Sequence, residues 1–299
     1  MRWLYHVATA RDAAPFLAGE VGALAPASLA AEGFLHASYQ DKVEESARLY
    51  FPAGEPLVVH QIDPRRILDL RVEVAATPRG PMPHVHAAVP RDAVRRTLSV
   101  DEVAHAPDRV TGTRFVFVTF GGMTLLDLVG VLDPVSRLAS MTFDPTSTSR
   151  IVTLDATTPW ASAGAALIVE HVRPSLEDSD VLVVVGGPPT RTLVEDPEVA
   201  AWLASFPHNR LVTSVCTGAL LLGAAGRLRG RRATTHHVAL DLLARWGATA
   251  VRERVVTDGN VMTAGGVTSG LDLGVAIVRR LEGDDVADAI ARQMELRAD

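Results

Sequence analysis

Five consecutive apolar residues at 181–185, V-L-V-V-V, run directly into Gly186 and Gly187. A strand without a single polar residue has no face to turn toward water. It belongs inside a parallel sheet covered by helices on both sides. The flanking sequence fits that frame. Residues 114–120 (R-F-V-F-V-T-F), 151–154, 166–172 and 211–215 read as further strands. Helical stretches lie between and after them: 124–139, with Pro134 as a break or kink; 196–206, with Pro197 in the first turn; 217–225; 268–281; and 284–297. Residues 255–263 read as a hairpin around Asp258-Gly259-Asn260. Such alternation predicts a three-layer α/β sandwich over 114–299.

Upstream the pattern changes. Residues 3–7, 57–62 (L-V-V-H-Q-I) and 68–74 read as strands and 42–50 as a short helix, giving a small α+β domain over 1–103. The polar segment A-H-A-P-D-R-V-T-G-T at 104–113 carries Pro and Gly and reads as the linker. A chain of 299 residues is long enough for two such domains.

Composition excludes several classes. The formal net charge is -6 and no basic block occurs, which speaks against a nucleic-acid partner. No run of about 18 uncharged apolar residues is present, so no membrane span is expected. Cys216 is the single cysteine, so no internal disulfide forms, and the first residues lack a secretory pattern. A cytoplasmic protein acting on a small molecule is the expectation.

The chemistry concentrates at 211–226, L-V-T-S-V-C-T-G-A-L-L-L-G-A-A-G. A buried strand runs into Cys216 and a helix starts at once, with Gly218 permitting close packing at the turn. This is nucleophile-elbow logic with sulfur in place of oxygen. The positive end of the helix dipole favours thiolate, and neighbouring backbone N–H groups can hold developing negative charge. On the pattern alone, a nucleophile and a small buried core thiol fit equally well.

The run S-V-C-T-G-A-L-L-L-G-A-A-G, followed by R-L-R-G-R-R-A-T-T-H, resembles the isonitrile hydratases and their close relatives in the PfpI-type, class I glutamine-amidotransferase-like superfamily. So do T-L-L-D-L-V-G at 124–130, V-V-G-G at 184–187 and D-G-N-V-M-T-A-G-G-V-T-S-G-L-D at 258–272. The resemblance spans 114 to about 296. It implies a flavodoxin-like sandwich and a homodimer; no cofactor is expected. Many members of the superfamily place His after the nucleophile. Thr217 stands there in this sequence, which matches the hydratase pattern instead. The resemblance implies Cys216 as nucleophile, Asp127 as acid/base and Thr217 as a supporting hydrogen-bonding group.

Asp127 lies between Leu126 and Leu128, so apolar surroundings are expected to raise its pKa. Without the resemblance, a solvated helix-face acid or a first-turn acid facing the dipole is the plainer reading. Gly187, with Gly186, and His236 are the further substrate-binding candidates, beside Gly218. His236 could equally satisfy a buried hydrogen bond. Relatives carry His then Trp where this chain has His236-His237, and no third ligand at metal spacing follows, so no metal site is expected.

In the first domain, Tyr5-His6, L-A-P-A-S-L-A-A-E-G-F-L-H-A-S at 24–38 and P-H-V-H at 83–86 resemble the uncharacterised DUF952 family, over 3–97. His6, His36, Glu73 and His84 are its polar candidates for a cleft, and a nucleotide or phosphate-bearing ligand is the expectation they support. For the second domain three functions compete. The first is an isonitrile hydratase-like lyase. The second is a related cysteine hydrolase or deglycase, against which the missing His after Cys216 counts. The third is a non-catalytic thiol sensor or regulator. A DNA-binding version is not expected, because the sequence carries no basic helix pair.

Overall fold

The computed structural model describes residues 1–155, 158–169 and 171–296. The chain divides into two compact units, Met1–Val110 and Thr111–Asp299. The stretch read as a linker is tied down on both sides of that division. Val110 N–H donates to the Met1 carbonyl at 2.9 Å and Trp3 N–H to the Asp108 carbonyl at 3.0 Å. Gly112 and Thr113 donate their N–H groups to the Asp144 carboxylate at 2.9 and 3.0 Å.

The second unit is built on a six-stranded sheet in the order Thr148–Thr153, Arg114–Thr119, Val181–Val184, Leu211–Val215, Val261–Ala264, Val255–Asp258. The first five run parallel. The last pairs antiparallel with its neighbour across the Gly259-Asn260 turn, as the hairpin reading expects. Val181–Val184 and Leu211–Val215 are buried at every position; the first is wholly apolar, and in the second Thr213 donates its hydroxyl to the Leu182 carbonyl at 2.9 Å. Val184 pairs with Val118 on one side and Ser214 on the other. The carboxyl ends of three strands therefore reach one edge together.

Two groups of helices cover the sheet. Leu125–Ser140, Ser269–Glu282 and Asp284–Gln293 pack on one another, as do Pro197–Ala204, Gly218–Ala224 and the 3-10 run His237–Trp246. With the sheet between them they form the flavodoxin-like sandwich. Leu125–Ser140 and Ser269–Glu282 approach closely at glycines: a Cβ on Gly130 would lie 3.4 Å from the Gly270 backbone. Pro134 does not end its helix, which runs on to Ser140. Its ring faces Gly274, where an added Cβ would come within 2.7 Å of Pro134 Cγ. Asp196 caps Pro197–Ala204 by accepting from Glu198 N–H at 2.8 Å, and Pro197 takes the first helical position.

Two expected strands differ. Residues 166–172 form only isolated bridges, Ala166 to Trp160 and Val172 to Thr153, and Glu170 lies outside the described residues. The segment bonds back on itself, Ala161 N–H to Ala165 O at 2.7 Å and Leu167 N–H to Pro159 O at 3.1 Å, leaving Ile168 at the surface. In the first unit the strand read at 68–74 lies at Val72–Thr77, because Ile67 to Leu70 close a turn whose apolar side chains Ile67 and Leu68 are buried. The helix read at 284–297 ends at Gln293, and residues 297–299 lie outside the described residues.

The first unit carries two three-stranded antiparallel sheets. Leu57–Ile62 lies between Leu4–Thr9 and Val94–Leu98, and Gly80–Val85 between Leu35–His36 and Val72–Thr77. Leu4, Phe16, Leu35, Ile62 and Val85 anchor its core. No helix among the described residues is long and apolar enough to cross a membrane.

Candidate active site

Cys216 leaves the strand Leu211–Val215 while its N–H still donates to the Ala264 carbonyl at 3.0 Å. Its φ is +55°, in the left-handed region, where a residue with a Cβ costs about 1–3 kcal/mol. That bend lifts the thiol out of the strand and delivers the chain to the helix Gly218–Ala224. Gly218 makes the arrangement possible. A Cβ there would stand 2.8 Å from the Val185 carbonyl oxygen and nearer still to that of Val184. Its position is against the central strand, so its contribution is packing rather than the substrate contact expected of it.

Asp127 comes from the first turn of Leu125–Ser140. Its side chain is fully buried. Oδ2 accepts from Gly186 N–H at 3.1 Å, and the Cys216 thiol stands beside the carboxyl. Oδ1 is buried and has no partner. Burial pushes this carboxyl up to about 6, against the smaller opposing pull of the Gly186 N–H and the Cys216 thiol. The desolvation does not come from both sequence neighbours, since Leu126 is exposed and only Leu128 is buried.

The thiol behaves oppositely to the helix-dipole expectation. Burial first, and then the negative charge of Asp127, push it up to about 12, outweighing the opposing pull of Thr217. At neutral pH the pair rests as thiol and carboxylate, because thiolate beside carboxylate in a buried site is doubly disfavoured.

Thr217 ties the elbow to the neighbouring strand end. Its Oγ1 accepts from Gly187 N–H at 2.9 Å and donates to the Gly187 carbonyl at 3.1 Å. Both glycine N–H groups expected to face a substrate are therefore engaged within the site, Gly186 on Asp127 and Gly187 on Thr217. What glycine supplies at 186 is room: a Cβ would lie 2.6 Å from Thr217 N, 2.8 Å from Cys216 Cβ and 2.9 Å from Asp127 Oδ2.

Thr235 escaped the sequence reading. Its hydroxyl donates to the Cys216 carbonyl at 2.7 Å and braces the strained bend from a third segment. The A-T-T-H run before the 3-10 helix was the signal available. His236 is half-buried and caps that helix, its Nδ1 accepting from Val238 N–H at 3.5 Å. Burial, with His237 and Arg191 nearby, lowers its pKa. A cavity of about 510 Å³ opens beside the elbow brace, lined by Thr235, Arg252, Arg254, Gly265 and Thr268, with His237 rather than His236 on its wall. Among the described residues, no group of three His, Cys, Asp or Glu is placed to hold a metal ion.

In the first unit, His6, His36 and His84 come together. His6 Nδ1 lies 2.8 Å from the His36 carbonyl, and the His36 and His84 rings are 5.4 Å apart. Glu73 lies opposite His84 in the strand register and pairs with Arg71 at 2.7 Å and His86 at 3.5 Å.

Comparison with known proteins agrees with this division. Residues 115–280 match the DJ-1/PfpI family, and residues 10–97 match a family described as a protein of unknown function, DUF952. The chain is 39% identical over 180 residues to isonitrile hydratase of Pseudomonas putida, covering 60% of this chain and 76% of that protein. It is 26% identical over 186 residues to the HTH-type transcriptional regulator CdhR of Pseudomonas aeruginosa, covering 61% of this chain and about half, 54%, of the regulator. A crystal structure of a THiJ/PfpI family protein from Pseudomonas syringae superposes with a TM-score of 0.56 at 32% identity, over 64% of this chain and 77% of that one. A strained cysteine elbow at the carboxyl edge of a parallel sheet, matched over more than half the chain, makes this a member of the DJ-1/PfpI family with a DUF952 unit before it.

Proposed function

We propose that the second unit is a cysteine-dependent enzyme that adds water to an isonitrile and releases an N-substituted formamide. One observation carries the reading: a buried carboxyl beside the elbow thiol keeps its second oxygen, Asp127 Oδ1, without a partner. An isonitrile carbon must gain both a nucleophile and a proton. Here the two stand side by side.

As Cys216 Sγ attacks the terminal carbon, the thiol proton passes to Asp127, and Asp127 returns it to that same carbon. The product is a thioimidate, R–N=CH–S–Cys216. Asp127, again a carboxylate, then takes a proton from water as its oxygen adds to the carbon. The C–S bond breaks, nitrogen and sulfur each end with one proton, and R–NH–CHO leaves with the thiol regenerated. A carboxyl raised to about 6 can both accept and give a proton near neutrality. The backbone N–H of Thr217 supports the sulfur as negative charge develops on it. The resemblance to the Pseudomonas putida isonitrile hydratase supports the substrate class. The raised thiol pKa and its burial weigh against an oxidant sensor, which needs an accessible thiolate.

Turnover of cyclohexyl isocyanide, followed by formamide release, tests this. The wild-type chain should turn over, and Cys216→Ala and Asp127→Asn should not. Absence of formamide with the wild type, or unchanged turnover in Cys216→Ala, rejects the proposal.

A further inference from the structure

The first unit contains a cavity of about 1500 Å³, and nothing in the chemistry above uses it. We propose that it is a separate ligand site, taking a small molecule with an apolar body and anchoring it through a hydroxyl or N–H group donated to His6 Nε2. The volume exceeds what a drug-sized ligand fills. Much of the wall is apolar, with Phe16, Leu24, Pro26 and Met82 among it.

His6, on the strand Leu4–Thr9, lines the cavity and is 6% exposed. Its Nδ1 lies 2.8 Å from the His36 carbonyl. A carbonyl only accepts, so Nδ1 carries the proton. Burial, against the opposing pull of that bond, holds the imidazole below its ordinary pKa, so the ring is neutral at pH 7. Its Nε2 is then a bare lone pair, buried and without a partner. Groups left in that state are costly and mark a missing partner. A neutral acceptor calls for a donor on the ligand.

The same geometry disfavours the phosphate-bearing ligand that the histidines suggest in the sequence. The lining arginines are Arg11 and Arg79. Arg79 is engaged by Glu45 at 3.3 Å, Ser46 at 2.7 Å and Tyr50 at 3.2 Å. Arg11 is almost fully exposed beside Asp12. Asp12 and Glu32 also line the cleft. The buried end offers an acceptor where an anion needs a cation or donors.

Matched probe pairs on the full chain, labelled with 15N-histidine, test the inference: 2-naphthol against 2-methoxynaphthalene, and indole against N-methylindole. Each pair differs by the donor proton. Donors should bind about fivefold more tightly, the worth of one net hydrogen bond, and should shift the His6 Nε2 resonance. His6→Phe should erase the difference. If that variant does not fold, the pairs on the native chain still decide. Equal affinity within each pair, no binding of either donor, an unmoved Nε2 resonance, or saturable displacement of 2-naphthol by inorganic pyrophosphate overturns it.

Discussion

Replacing Asp127 by Asn should make the second unit more stable at pH 8 while abolishing its chemistry. In the native state burial lifts this carboxyl from 3.8 to about 6. A folded pKa above the unfolded value means that ionisation is harder in the folded chain. The native state therefore loses stability as pH rises from about 4 to about 6 and carries the full cost above that. The difference of about two pKa units corresponds to roughly 3 kcal/mol. Asn has the same shape, and its carbonyl can keep the Gly186 N–H bond, but it never charges. The variant should match the wild type near pH 4 and exceed it by up to about 3 kcal/mol at pH 8. Hydrogen exchange of the central strand Leu211–Val215, corrected for intrinsic rates, reads the second unit alone. Its protection should rise roughly a hundredfold at pH 8 and little at pH 4. Protection that changes equally at both pH values, or falls at pH 8, refutes the claim of a desolvated carboxylate.

Three further outcomes follow from the same geometry. The kcat/KM for an isonitrile should rise with pH through about 6 as Asp127 ionises, with no falling limb before the thiol ionises far above neutrality; a profile flat from pH 5 to 8 contradicts it. Gly186→Ala should cost about 1–3 kcal/mol by overpacking, because the added carbon meets backbone and two short side chains. It should also lower kcat, and an active, equally stable variant in chemical unfolding counts against the contact. Thr235→Val keeps the shape but leaves the Cys216 carbonyl without its hydroxyl donor. A loss of about 1 kcal/mol in stability, with a fall in kcat, is expected from unfolding and turnover measurements.

What was legible in the sequence was local. The strand Leu211–Val215, the cysteine and the following glycine lie within eight residues, so their order alone spells a strand running into a helix. The sign of the thiol's pKa was not legible. The helix dipole is a property of the next few residues, whereas burial and Asp127, which outweigh it, come from packing across the sheet edge. Asp127 itself shows why. Its helix buries 127, 128, 131, 135 and 138 and exposes Leu126 and Val129. The acid sits on the buried stripe with an apolar neighbour outside it, the reverse of what hydropathy suggests. The segment 166–172 failed for a related reason. β-branched residues favour extended backbone, but strand pairing is decided elsewhere, and this run folds back on residues 159–161. Gly186 and Gly187 stand out in the sequence, yet their N–H groups serve Asp127 and Thr217, a partnership that no spacing encodes.

The central claim is that carbon–sulfur bond formation at Cys216 is part of turnover. Rapid acid quench of the wild-type chain during its first turnover of cyclohexyl isocyanide, followed by intact-mass and peptide analysis, measures this directly. An adduct equal to one whole isonitrile, carried by the peptide containing Cys216, is the predicted result. Formamide release with that peptide unmodified at every time point would contradict it.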